Sequence, residues 1–206
     1  MKIVKSIDNI FNTLFEKHKE SKKGIFIILV GGCSRAGKSS LSLYLEEKFK
    51  CNEINCRILN LDSWLISVDK RKTNSKVLER FEIIEINKAV KNILNNKIVI
   101  PPFYNPVSRK RKKNSSGQPI KLESGILIVE GVISLAVEYL LNISDVNIYV
   151  DITDTLRIKR LIHFYKDVKK IEKDRYKKII QDREIEETLF IKNTKNNADF
   201  IFCWDS

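Results

Sequence analysis

The sequence predicts an α/β fold of three layers, helix on sheet on helix, around a mainly parallel sheet of five strands with a small β-hairpin beside it. Three observations predict this. Residues 25–30 and 126–129 are unbroken apolar runs, and 146–150 is apolar except at Asn147, the pattern of parallel strands buried on both faces. The stretches between them carry apolar residues at helical rather than alternate spacing. The first run also leads directly into Gly32-Cys33-Ser34-Arg35-Ala36-Gly37-Lys38-Ser39, a complete G-x-x-x-x-G-K-[ST] phosphate loop, and such a loop works as a bend between a buried strand and a helix N-terminus.

The elements follow in order. Ile3, Ile7, Ile10, Phe11 and Leu14 fall at helical spacing, so residues 1–23 read as an amphipathic helix packed on one nucleotide-binding domain, 24–206. After the loop, Leu41, Tyr44, Leu45 and Phe49 share a helical face that should cover the sheet. Residues 57–61 read as a short buried strand that delivers Asp62 to its C-terminal end, the edge where ligands sit in open parallel sheets. Residues 64–80 are polar and lysine-rich; Ile83, Ile86, Val90 and Leu94 then mark a helix. Residues 98–103 are strand-like, but Pro101 and Pro102 confine them to an edge or hairpin, with 120–122 as partner and the basic stretch 108–117 as tip. Helices are expected over 154–165 and 170–190, and a last strand over 200–202.

Composition narrows the class. In 206 residues Lys and Arg number 38 against 26 Asp and Glu, a formal net charge of +12, which points to anionic partners. No stretch approaches the roughly 18 apolar residues of a membrane span, and a cytoplasmic protein is expected. Cys33, Cys51, Cys56 and Cys203 lack paired metal spacing, and the histidines are His18 and His163 alone, so reduced thiols are expected and zinc is not.

Phosphoryl transfer leaves a protein with defined tasks: hold the phosphates, hold Mg²⁺, orient the acceptor, take its proton and neutralise the moving charge. Backbone N–H groups of residues 32–40, from Gly32 through Ser40, would cradle ATP, with Lys38 along the β- and γ-phosphates and the Ser39 hydroxyl on Mg²⁺. Glu130 ends an apolar strand as a Mg²⁺ ligand or a helix-capping carboxylate. Asp62 ends the neighbouring strand as a base for the acceptor hydroxyl, a second metal ligand or a cap. Arg157 and Arg160 share one helical face, either as a lid folding over the triphosphate or as a solvated surface.

These segments together resemble the uridine kinase and phosphoribulokinase-type kinases of the P-loop NTPase class. The matching motifs are the phosphate loop, Leu61-Asp62-Ser63, Ile128-Val129-Glu130-Gly131, the 154–160 stretch, and Phe190-Ile191-Lys192-Asn193-Thr194-Lys195-Asn196-Asn197-Ala198-Asp199, which is similar to the family's F-I-x-P-T-K-x-x-A-D. They occur in family order across about 25–202. The resemblance implies an ATP- and Mg²⁺-dependent small-molecule kinase. By it Asp62 is the base, Ser39 and Glu130 serve the metal, and Arg157 and Arg160 belong to a lid over about 157–175. Thr194 and Lys195 lie near the adenine. Tyr104, in a stretch similar to the family's P-x-Y-D hairpin within an insertion of about 98–123, contacts the acceptor.

Departures from the family concern the acceptor. Arg109 stands where uridine kinases place a base-contacting histidine, and the 76–82 stretch lacks most of their acidic ribose-binding segment. Leu161, Phe164 and Tyr165 replace further lid residues, so Lys166, Lys169 or Arg175 are expected to share that chemistry. Arg109 and Arg111 suit an anionic acceptor, such as a sugar phosphate, as the alternative to a nucleoside or neutral sugar. A GTPase is disfavoured because Glu130-Gly131 is no D-x-x-G switch. A nucleic-acid binder is disfavoured because the 109–113 run lacks interleaved aromatics. Homo-oligomerisation is left open.

Overall fold

A computed structural model describes residues 1–204, except for the side chains of 112–116. The central sheet has six strands, one more than the sequence pattern indicated. All its pairings are parallel, in the order β1 (Lys2–Val4), β8 (Phe200–Cys203), β7 (Val146–Asp151), β2 (Ile25–Gly31), β6 (Gly125–Glu130) and β3 (Cys56–Asn60). The additional strand is β1. Residues 1–23 are therefore not one helix: α1 (Ile7–Glu20) begins only after Ser6, whose Oγ accepts from the Asn9 N–H at 3.3 Å. Ile10, Phe11 and Leu14 are its buried stripe, whereas Ile3 lies on the strand and is 63% exposed. A strand of three residues is too short to display an alternation, which is why its apolar residues merged with the helical pattern.

The middle strands are buried on both faces, as their composition requires. Along β2, Phe26, Ile28 and Val30 pack toward α1 and α2 (Lys38–Cys51), in one cluster with Leu41, Leu45 and Phe49. Ile25, Ile27 and Leu29 face the opposite layer, where α3 (Ile83–Leu94) contributes Ile86, Val90 and Ile93, and α4 (Glu138–Ile143) contributes Leu140. The phosphate loop leaves β2 between β7 and β6, where chain connections diverge to the two sides of the sheet. That is the crevice in which doubly wound sheets bind ligands.

Two smaller units overhang this edge. The first is an antiparallel hairpin of β4 (Pro102–Asn105) and β5 (Lys110–Ser116), pairing Tyr104 with Arg111 and Asn105 with Lys110. Its tip is 106–109 rather than 108–117. Asn105 Oδ1 accepts from the N–H groups of Val107 at 2.8 Å and Ser108 at 3.0 Å, an Asx turn that reverses the chain early and leaves the basic run as strand. The Lys112 and Lys113 side chains of that run lie outside the described residues. The expected pairing of 98–103 with 120–122 reduces to one bridge, Val99 with Ile120.

The second unit is α5 (Asp154–His163), α6 (Lys173–Arg183) and α7 (Leu189–Asn193), with wide π turns at Phe164–Val168 and Glu184–Thr188. Leu161, Tyr165, Tyr176 and Ile180 form a small core of its own, separate from the two clusters on the sheet.

Candidate active site

The loop after β2 is shaped by backbone conformations that few residues adopt. Gly32, Arg35 and Gly37 have φ of 133°, 65° and 104°. A Cβ on Gly32 would lie 2.4 Å from the Val150 carbonyl oxygen, so only glycine lets the loop pass that close to β7. Helix α2 starts at Lys38 with no side chain capping its first turn, so its N–H groups remain available to an anion. Lys38 is buried and donates to the Cys33 carbonyl at 2.9 Å.

Opposite the loop stand three oxygen-bearing side chains from strand ends. Glu130 closes β6 and is buried; both its carboxylate oxygens lie 3.0 Å from Ser39 Oγ, which donates to them. Asn60, the last residue of β3, donates its Nδ2 to Glu130 Oε1 at 2.9 Å and accepts the Asp62 backbone N–H on Oδ1 at 2.8 Å. One amide thus ties the Glu130 carboxylate to the backbone of Asp62. β3 stops at Asn60, so Asp62 does not close the strand but sits two residues past it, in the 3₁₀ turn Leu61–Trp64, and its side chain remains reachable from the cleft. Ser39 with Glu130 is a sparse set of hard oxygen donors beside an anion cradle. Such a set fits a magnesium ion that keeps water and phosphate oxygens as its other ligands.

Charge is concentrated here at the expense of hydration. Desolvation low in the cleft raises the Asp62 carboxyl above the ordinary aspartate range against the pull of Lys38 and Arg183, a modest effect because the side chain stays open to solvent. Burial likewise raises Glu130 against the pull of Lys38 and Ser39, and lowers Lys38 against Asp62 and Glu130. Desolvation therefore outweighs pairing at all three groups, a condition typical of functional sites.

The cleft holding these groups has a volume of about 1240 Å³. That exceeds what one nucleotide-sized ligand fills and leaves room for two reactants. Its phosphate side includes Arg35, Lys38, Ser39, Arg160 and Arg183; its far side includes Arg71, Arg80, Phe81, Tyr104 and Arg109. Arg35 stacks 3.4 Å over the Phe164 ring, and Arg160 donates to the Arg35 carbonyl at 3.3 Å, so the helical unit is clasped to the phosphate loop.

Several expected residues lie elsewhere. Arg157 is 2% exposed and forms a fork-to-fork pair with Glu184, with Asp154 also at 3.2 Å. It lines a small cavity behind the loop with Cys33 and Ser34 instead of the cleft. Arg111 turns outward to Glu85 at 3.1 Å and Glu82 at 3.9 Å. Thr194 is buried and donates to the Ile191 carbonyl at 2.7 Å, while Lys195 pairs with Asp151 at 2.5 Å, and neither lines the cleft.

Sequence reasoning missed Arg183. It reaches into the cleft from the end of α6, donating to Tyr165 Oη at 2.9 Å and to Glu187 Oε1 at 2.9 and 2.6 Å. Burial works against its charge, but Glu187 and Tyr165 outweigh it and raise the guanidinium above its ordinary value. Glu187 also lies 3.6 Å from Arg80, which pairs with Glu186 at 2.6 Å, so the helical unit grips both walls. Nothing in the sequence separates Arg183 from its charged neighbours Asp182 and Glu184. Asn60 carried a weak signal, as the polar residue closing a strand ahead of Asp62.

A parallel sheet with a phosphate loop at its switch point, strand-end carboxylates facing it and an arginine-bearing helical cover define a P-loop phosphotransferase. The sequence model of the phosphoribulokinase / uridine kinase family matches residues 27–204, and the chain belongs to that family; it is a kinase that acts on a hydroxyl group. Its relatives include a uridine kinase of Clostridium novyi, 30% identical over 188 residues, covering 84% of this chain and 86% of that one. Another, a uridine kinase of Lactococcus lactis, is 29% identical over 190 residues, covering 87% and 88%. In fold the chain is similar to a Silicibacter protein assigned provisionally as a fructose transport system kinase, with TM-score 0.76, 15% identity and 98% and 100% coverage. It also resembles the D-glycerate 3-kinase of Cryptococcus neoformans, with TM-score 0.60, 11% identity and 90% and 87% coverage. No helix among the described residues is long and apolar enough to cross a membrane.

Proposed function

We propose that the protein transfers the γ-phosphoryl group of ATP to a hydroxyl of a small sugar-like or nucleoside acceptor, in the manner of a uridine kinase and in the cytoplasm. One observation carries this reading: Lys38, the Ser39–Glu130 pair and Asp62 meet at the strand ends of a single cleft that is large enough for two reactants.

The phosphates lie along the N–H groups of residues 32–40, and Lys38 moves from the Cys33 carbonyl onto the β- and γ-phosphate oxygens. Ser39 and Glu130 would hold Mg²⁺, which would offset the negative charge of those oxygens. Thr194 and Lys195, tied to Ile191 and Asp151, brace the segment beside the adenine without entering the cleft. Tyr104 and Arg109 line the acceptor wall. Asp62 accepts the proton as the acceptor oxygen bonds to phosphorus and the bond to the departing ADP oxygen breaks. Arg160 and Arg183, rather than Arg157, face the transferring group from the helical cover, where positioned cations stabilise spreading charge.

The test is Asp62→Asn with ATP and a panel of nucleosides and sugars as acceptors. Turnover should fall on the order of 1000-fold while ATP affinity stays within a few-fold. Turnover near that of the parent chain would remove the assigned base.

A further inference from the structure

On the wall of the cleft opposite the phosphate loop stand two cations that no carboxylate answers. Arg71 is half-buried, and its plane is fixed by neutral acceptors: Nε donates to the Ile66 carbonyl at 2.9 Å and Nη2 to Tyr104 Oη at 3.2 Å. Arg109 occupies the hairpin tip in the left-handed region, φ 57°, and its carbonyl accepts the Val68 N–H at 3.0 Å, so the tip and the 66–71 segment are pinned together. Among the described residues neither guanidinium has an acidic partner within ion-pair distance. Of the other arginines near this wall, Arg80 pairs with Glu186 and Arg111 with Glu85; on the phosphate side Arg183 pairs with Glu187, while Arg35 stacks on Phe164 and Arg160 donates to the Arg35 carbonyl.

The excess positive charge has a physical consequence nearby. Burial, and after it the repulsion of Arg109, Arg183 and Arg35, brings Lys169 down to about 8. Burial also lowers Arg71, with Arg109 and Arg80 adding to the effect against Tyr104. Cations crowded into a partly dehydrated wall are unfavourable until an anion joins them. A guanidinium whose plane is already set presents a fork that matches an oxyanion with two hydrogen bonds.

We propose that Arg71 and Arg109, with Tyr104 steering Arg71, form a subsite for an anionic group, phosphate or carboxylate, carried by the acceptor away from the hydroxyl that is phosphorylated. This rests on the kinase reading above and names its substrate class. The subsite belongs to the acceptor and not to ATP, because its two arginines come from the 66–71 segment and the hairpin, which stand across the cleft from the loop that cradles the triphosphate. A neutral nucleoside would leave the half-buried Arg71 without a counter-charge, so the wall discriminates against it as well as for an anion.

The experiment is equilibrium titration of the full chain, with magnesium and ADP present, using matched probes: ribose against ribose 5-phosphate, glycerol against glycerate, and uridine. The anionic member of each matched pair should bind at least about 10-fold more tightly, as expected for charge-assisted hydrogen bonds. Ribose 5-phosphate and glycerate separate the phosphate form of the subsite from the carboxylate form. Arg71→Gln should erase the preference, Arg109→Gln should reduce it, and Tyr104→Phe, which keeps the ring, should weaken it by a few-fold; ADP affinity should stay constant in all three. Equal binding of neutral and anionic probes, no anion binding at all, or a preference that survives Arg71→Gln would overturn the subsite. Turnover lost in Asp62→Asn but retained with neutral acceptors in the parent would leave the kinase standing while the subsite fell.

Discussion

The two walls of the cleft are built by different means. The phosphate wall comes from strand ends and one helix start, where a turn of few residues and one asparagine, Asn60, fix Lys38, Ser39, Glu130 and Asp62. Its cation Lys38 and its carboxylates Asp62 and Glu130 act on one another across the cleft floor. The acceptor wall comes from the 66–71 segment and the hairpin, and it presents Arg71, held by neutral oxygens, beside Arg109. Chemistry common to phosphoryl transfer sits on the rigid sheet, whereas the choice of acceptor is delegated to inserted segments that can change without disturbing the sheet.

The largest expected effect breaks the phosphate wall. Lys38→Ala should lower turnover by roughly 1000-fold and weaken ATP binding, since it removes a buried cation from the transferring group. Steady-state kinetics and ATP titration read the two effects separately, and unchanged values for both would detach Lys38 from the phosphates.

A sharper contrast is between two arginines of the helical cover. Arg183 lines the cleft, so Arg183→Met should lower turnover about 100-fold, beyond the stability lost with its Glu187 and Tyr165 contacts. Arg157 is 2% exposed and locked to Glu184, so Arg157→Met should act mainly on stability, by about 2–3 kcal/mol, between the values of exposed and fully buried pairs. The pH dependence distinguishes them further. Burial raises Glu184, but Arg157 outweighs it and holds the carboxyl below its ordinary 4.5. The stability this pair contributes is therefore present above that value and is lost as pH falls through the depressed one. Denaturant midpoints across pH 3–7, in parent and Glu184→Gln, check it. Reversed roles for the two arginines would mean that the helical cover meets the nucleotide in another orientation.

Much of this was legible from composition and spacing. Strands buried on both faces show as largely apolar runs, broken in β7 only by Asn147 before its terminal Asp151, and the phosphate loop declares itself by its glycines. The strand β1 was hidden because three residues carry no period, and the hairpin tip was misplaced because the Asx turn at Asn105 is set by one side chain rather than by a pattern. The cations were the least readable. Arg157 and Arg183 look equivalent in sequence, and Arg71 looks like its lysine neighbours. What separates them is which carboxylate each meets, a tertiary fact that depends on the wide turn at Glu184–Thr188.

The smallest expected effect concerns Asp62 and sets function against stability. Burial raises its carboxyl above the ordinary 3.8 despite Lys38 and Arg183, so the folded chain holds that proton more tightly than the unfolded one. Stability then falls as pH rises from the unfolded value through the raised one. The base form needed for transfer is the same charged form that the fold disfavours, so the acid limb of kcat/KM should lie above the range of an exposed aspartate. Asp62→Asn removes the charge and keeps the shape. The inactive variant should therefore melt slightly higher than the parent at pH 7, with the difference vanishing below pH 4, as read by scanning calorimetry with no nucleotide added. A variant that melts lower at pH 7 would show that Lys38 and Arg183 need this carboxylate more than burial resists it, and would place Asp62 among the structural ion pairs of the cleft.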